Sequence, residues 1–339
     1  MWQTFSQIFN SQLIAEALGT GATLLILAGL GYMFTDRAGV FNIAIEGLLL
    51  FAAFFAAVGA GATNNPWVGL LCGVAASLVV SLIFFAVSIK LRADIIIVGI
   101  GVNLLASAVT VFLLHGFFNN DSNYELTTSQ ALPSFSVPGL SALPIVGPTF
   151  TSESVLTYLA WLSIPLTWVV LYRTRLGLRI RSVGENPDAA ASVGINVERI
   201  QLTAIMICGL LSGLAGAYLS IGPLPGFNKD MSAGQGWIAL AAETLGNGTP
   251  LGTFIASIFF AAARGVSSNM STAQLGAPQL VDAIPYVATV VGLAVAARRA
   301  LSRRTGGAGR RRHRGQPPEQ QPQPIAASQN ADIQPATGA

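Results

Sequence analysis

Charge is scarce in this chain. Only 10% of its 339 residues are Asp, Glu, Lys or Arg, against about 25% in soluble domains. With 52% hydrophobic residues and a mean hydropathy of +0.60, that scarcity excludes an ordinary soluble enzyme, a disordered chain and a nucleic-acid-binding domain. Cysteine is scarcer still: Cys72 and Cys208 both lie in apolar runs, so neither a disulfide framework nor a Cys-type metal site can be built. His115 and His313 are far apart in sequence and context, which argues against a His-based metal site. The two lysines, Lys90 and Lys229, are not preceded by glycine, so no Walker A phosphate loop can be written. A gating-charge array, a potassium-type selectivity filter, a nucleophile elbow and an HExxH helix are all missing as well.

What is present in quantity is apolar sequence, interrupted by 36 glycines and 17 prolines. Both residues are more frequent in membrane helices than in soluble ones. A spanning helix needs about 20 mostly apolar residues. Nine segments qualify as candidates: 12–34, 43–62, 67–89, 95–117, 155–172, 200–221, 236–245, 251–266 and 280–297. The seventh is too short to span, and with the Gly-Asn-Gly-Thr-Pro that follows it reads as a broken or re-entrant helix. Such backbone survives at membrane depth only when buried in protein or lining a cavity. The expected fold is therefore an all-α polytopic membrane protein with interrupted helices.

The cations set the orientation. Eight of the eighteen Lys and Arg lie after residue 297, and five more (Arg173, Arg175, Arg179, Arg181 and Arg199) fall in one loop. By the positive-inside rule, the Arg-rich loop at about 173–199 and the tail face the cytoplasm. The loop at about 118–154 has no Lys or Arg but carries Asp121, Glu125 and Glu153, so it faces outside. The N-terminus is then outside and the C-terminus cytoplasmic, provided the short seventh segment counts as a crossing. A signal peptide is not expected, since no cationic n-region precedes the first apolar run. The net charge of +3 reflects topology, and the basic tail is read that way in preference to an RNA or anionic-lipid anchor. Residues 1–301 are expected to form the transmembrane domain, and 302–339, rich in Gly, Arg, Gln and Pro, to be a disordered cytoplasmic tail.

A weak internal repeat is visible. A helix ends near Phe34, breaks over 35–42 and resumes through Glu46; another ends near Ile221, breaks over 222–235 and resumes at Gly236. By the topology above, one break opens inward and the other outward, the pattern of an inverted repeat whose interruptions meet at a transport site.

Three polar elements carry the chemistry. The first is GENPDAAASVG at 184–194. Asn186 is a good N-cap, Pro187 suits the first helical position, Asp188 faces the positive end of the dipole, Ala189 and Ala190 favour helix and Gly194 suits the C′ position. A short helix with two well-made ends on a cationic loop is either a connector or a docking element for a cytoplasmic partner. The second is GVFNIAIEG at 39–47, where Asn42 and Glu46 share a helix face. Polar groups at the start of a span face the protein interior or water; alternatively Asn42 caps the helix and Glu46 sits at the interface. The third is Asn103, which lines a path or makes an interhelical hydrogen bond. Glu243 and Arg264 are further candidates for a pair across neighbouring helices. Gly209 and Gly213 form a GxxxG, read as close helix packing.

Four stretches in order, GVFNIAIEG at 39–47, DIIIVGIGVNLL at 94–105, GLRIRSVGENPDAAASVGINV at 177–197 and IALAAETLGNGTPLG at 238–252, resemble the inner-membrane permeases of bacterial ABC importers. The branch is that of ribose, branched-chain amino acid and nucleoside permeases, and the likeness is strongest to the shorter permease of nucleoside or simple-sugar uptake systems. The resemblance implies a heterodimer with a second, related permease. It also implies a cytoplasmic ABC ATPase that binds ATP and Mg²⁺, and an extracytoplasmic substrate-binding lipoprotein. This chain would carry no catalytic residue and no cofactor of its own, and would bind no nucleic acid. Gly184, Glu185, Asn186, Pro187, Asp188, Ala189, Ala190 and Gly194 fall on the family's coupling helix; Asn42, Glu46 and Asn103 are the pathway candidates. Glu243 departs from the apolar residue expected there. An ion- or proton-coupled carrier using Glu46 or Glu243 is the competing reading, and the capped cytoplasmic helix favours the importer.

Overall fold

The computed structural model describes residues 19, 21–118, 123–135, 153–223 and 225–272. The apolar segments are helices: α1 (Ala22–Arg37), α2 (Ile45–Thr63), α3 (Pro66–Phe85), α4 (Ile95–Phe118), α5 (Val155–Arg173), α8 (Val197–Ile221), α9 (Gln235–Leu245) and α10 (Pro250–Thr272). Between α5 and α8 lie two shorter helices, α6 (Arg175–Glu185) and α7 (Pro187–Ser192). Among the described residues six helical segments are long and apolar enough to cross a membrane, and the chain is a mostly helical, polytopic membrane protein. The candidate at 280–297, the start of the first and the tail at 302–339 lie outside the described residues.

Hydrophobicity all round a helix marks a buried one, and α1 meets that description: every residue from Ala22 to Thr35 is buried. It is wrapped by α5, α8, α9 and α10. Helix α8 reaches this centre through small residues. A Cβ at Gly209 would collide with the Ser81 side chain, and one at Gly216 with the Leu49 carbonyl oxygen. The Ser77 hydroxyl donates to the Gly209 carbonyl at 2.7 Å, so the GxxxG reading as a packing device holds. The periphery is inverted. Helix α4 turns Ile97, Leu104 and Phe112 outward at 71%, 68% and 74% exposure, as a lipid-facing or partner-facing surface requires.

Helix ends follow local chemistry. Asn65 caps α3, accepting from the Trp67 N–H at 3.0 Å ahead of Pro66. Helix α3 ends in a π-helical turn, Ala86–Lys90. Among the described residues there are two small antiparallel pairs: β1 (Asn123–Glu125) with β4 (Gly226–Asn228), and β2 (Ser134–Phe135) with β3 (Glu153–Ser154). Neither the strands nor α6 was expected from the sequence.

Candidate functional site

The two interruptions meet. Between α1 and α2 the chain leaves helix at Ala38 and resumes it at Ile45; between α8 and α9 it leaves at Gly222 and resumes at Gln235. Glu46, in the first turn of α2, reaches across to the start of α9. Its Oε1 accepts from the Gly234 N–H at 2.8 Å and its Oε2 from the Gly236 N–H at 2.7 Å. Helix α9 has no side-chain cap of its own, so a carboxylate 188 residues away in sequence satisfies its orphan donors and its positive dipole end. The fit is close: a Cβ at Gly236 would stand 2.7–2.8 Å from Glu46 atoms.

The same junction holds the other two pathway candidates. Asn42 is fully buried; its Oδ1 accepts from the Ala44 N–H at 3.0 Å, and its Nδ2 lies 3.5 Å from the Cys208 sulfur. That bond closes the turn ahead of α2, whose N-cap residue, Ala44, receives no side-chain cap. Asn103 fastens α4 to the same turn, accepting from the Gly47 N–H at 2.8 Å and donating to the Ile43 carbonyl at 3.0 Å. One turn along α4, the Ser107 hydroxyl donates to Asp230 Oδ1 at 2.5 Å. Asp230 and Ala233 both hold positive φ, 52° and 44°, a strained form for non-glycine residues that clusters at functional sites. Asn42 and Asn103 thus brace the turn into α2, Glu46 ties α2 to α9, and Ser107 ties α4 to the segment before α9.

The far end of α9 is tied just as firmly. Arg37, the last residue of α1, donates from Nε to the Gly248 carbonyl at 3.1 Å, from Nη2 to the same oxygen, and from Nη2 to the Asn247 carbonyl at 3.3 Å. Glu243 is buried on α9, and its Oε1 accepts no hydrogen bond. Arg264 on α10 lies at the opposite end of α9 from Glu243. With the Gln235 amide turned so that its oxygen faces the guanidinium, Nη1 and Nη2 both donate to it at 3.2 Å.

The cationic loop carries two helices. In α6, buried Gly177, Ile180 and Val183 recur at a three-residue spacing, and Thr174 accepts from the Gly177 N–H at 3.2 Å. The Arg181 guanidinium sits over the Tyr172 ring, 5.1 Å from its centroid. Helix α7 has the ends its sequence specifies: Asn186 Oδ1 accepts from the Ala189 N–H at 3.0 Å, Pro187 is the first helical residue and Gly194 takes φ +84°. Glu185 to Ala189 and Ala191 to Gly194 are exposed, whereas Ala190 is 4% exposed and faces the protein's own core. Gly184 is not free surface either, since a Cβ there would collide with the Arg37 carbonyl oxygen.

The sequence reading missed Arg37, Ser107, Asp230 and the Gly234–Gly236 backbone. An arginine at the end of an apolar run is one visible signal for the first. The others depend on partners over a hundred residues away, and nothing local announces them.

A family model described as branched-chain amino acid transport system / permease component matches residues 14–295. A nucleoside ABC transporter permease of Lactococcus lactis subsp. cremoris, NupC, is 32% identical over 87% of this chain and 96% of its own length. A guanosine ABC transporter permease of Bacillus subtilis, NupQ, is 34% identical over 83% of this chain and 91% of its own. A second L. lactis nucleoside permease, NupB, is 26% identical over 83% of this chain and 76% of its own. No solved structure matches the chain.

Proposed function

This chain belongs to the branched-chain amino acid transport system permease family and is a permease subunit of an ABC transporter of the plasma membrane, and from that premise we propose that its cargo is a nucleoside or a simple sugar. It works as one half of a heterodimer with a second, related permease; two nucleoside permeases from one L. lactis strain among its relatives support that pairing. ATP and Mg²⁺ are handled by a cytoplasmic ATPase, and an extracytoplasmic lipoprotein delivers cargo. This chain contributes no catalytic residue. Helix α7 is the docking element for the ATPase. Segments α1–α2 and α8–α9 are the matched halves of an inverted repeat of nine membrane segments, and the junction of Asn42, Glu46 and Asn103 borders the path.

The observation that carries the mechanism is the carboxylate of Glu46 on the Gly234 and Gly236 amides. It ties the two interrupted helices together, so relative movement of one against the other changes the walls of a path between them. Alternating access then requires only that the two arrangements differ in affinity for the nucleotide states of the ATPase. The test is uptake into proteoliposomes carrying the complete complex. Labelled adenosine, guanosine, cytidine and uridine are compared with ribose and leucine. ATP-dependent accumulation of a nucleoside or of ribose is the expected outcome; accumulation of leucine alone would refute the cargo assignment.

A further inference from the structure

We propose that Arg37 is a positioning residue that transmits movement of the α6–α7 loop to the short helix α9, coupling ATPase engagement to the transport junction. The inference rests on the reading of α7 as the docking element. Three contacts in series carry it. First, the backbone of Gly184, at the end of α6, abuts the backbone of Arg37 and Gly39. A Cβ at Gly184 would collide with the Arg37 carbonyl and stand 3.2 Å from the Gly39 nitrogen, while Gly39 itself holds φ +74°. Second, the Arg37 side chain binds the Gly248 and Asn247 carbonyls. Those carbonyls belong to the turn that closes α9, and Asn247 and Gly248 both take left-handed backbone there, φ 58° and 61°. Third, the other end of α9 is held by Glu46.

The surroundings channel movement through this series. Beside the Gly184 contact, α1 and α6 border an open cleft of about 340 Å³ lined by Asp36, Arg37, Tyr172, Leu178, Arg181 and Gly184. Close-packed contacts transmit strain, so the Gly184 contact carries movement where the cleft does not. The backbone contact of Gly184 with Arg37 is the tight point through which a shift of α6 reaches the end of α1. Planar guanidinium geometry suits the next step, because it fixes direction as well as distance to two carbonyls. Lysine keeps the charge but loses the fork.

The test uses the complete complex in proteoliposomes, with an equimolar mixture of the four ribonucleosides as the transported probe. Arg37→Gln is expected to assemble normally and to keep basal ATP hydrolysis. It should lose the stimulation by loaded binding protein, with uptake reduced roughly tenfold, as a coupling free energy of this kind implies. Arg37→Lys should assemble and fall between the two. Wild-type stimulation and uptake in Arg37→Gln would overturn the proposal. So would loss of assembly in both variants, which would make Arg37 a plain strut. A Val193→Asp variant separates this from the underlying reading: if the ATPase stays bound there, the docking assignment fails independently of Arg37.

Discussion

Glu46 shows how one side chain links sequence to mechanism. A carboxylate accepting two backbone N–H groups makes charge-assisted bonds, stronger than neutral ones, and here both go to the start of another helix. Glu46→Gln conserves shape but replaces one oxygen with a donor, which must then face the N–H of Gly234 or Gly236. An unsatisfied buried donor costs about 1–3 kcal/mol. Transport should fall and the detergent-solubilised permease should melt several degrees lower, read by the fluorescence of its tryptophans. From the sequence alone this residue has two readings, pathway wall or interface carboxylate. The structure adds a third fact, the capping of α9, that no local pattern contains. Unchanged melting and unchanged uptake would show that the junction does not depend on the charge.

At the scale of elements, α7 was legible and its orientation was not. Its caps are written within nine residues, Asn186 to Gly194, and the observed hydrogen bonds follow them. Helix α6, a few residues upstream, carries the same kind of signal in Thr174 and in Ile180 and Val183, but its arginines mask the apolar stripe. Which face of α7 points outward depends on packing against α6 and α8. Ala190 turns inward, and the Ile195 N–H bonds to its carbonyl at 3.1 Å. An arginine at Ala190 would therefore disturb the loop itself, since burying an unpaired charge costs several kcal/mol. The informative position is Val193, 75% exposed, an apolar side chain on the outside of an arginine-rich loop. Val193→Asp should leave membrane levels and permease pairing intact while the ATPase is lost on pull-down. Retention of the ATPase would reduce α7 to a connector.

At the scale of the whole molecule, two ends separate by charge. The α2–α3 turn, the segment after α4 and the end of α8 lie together: Gln130 donates to Asn64 at 2.6 Å, the Leu132 N–H to the Ile221 carbonyl at 2.8 Å, and β1 pairs with β4. The ends of α1 and α6 and the α9–α10 turn gather elsewhere, around Arg37 and Gly184. The first group carries one cation, Lys229 beside β4, and no Lys or Arg between Asn123 and Phe135, whereas the second adjoins Arg173, Arg175, Arg179 and Arg181. Span positions were readable in the sequence because apolar length is a local property. The gathering of loops into two ends required the packed bundle, and it follows the charge asymmetry. The positive-inside rule supports the proposal that the cation-poor end faces outward. Ser129 and Ser192, both exposed, report on the two ends. In a Cys72→Ser background, with Cys208 buried and silent, a cysteine at Ser129 should react with a membrane-impermeant maleimide on intact cells. A cysteine at Ser192 should label roughly an order of magnitude less until the membrane is permeabilised, because both thiols are solvent-exposed and differ only in side. The opposite pattern would place the arginine loop outside, where no ATPase could reach α7, and would remove both the docking assignment and the relay through Arg37.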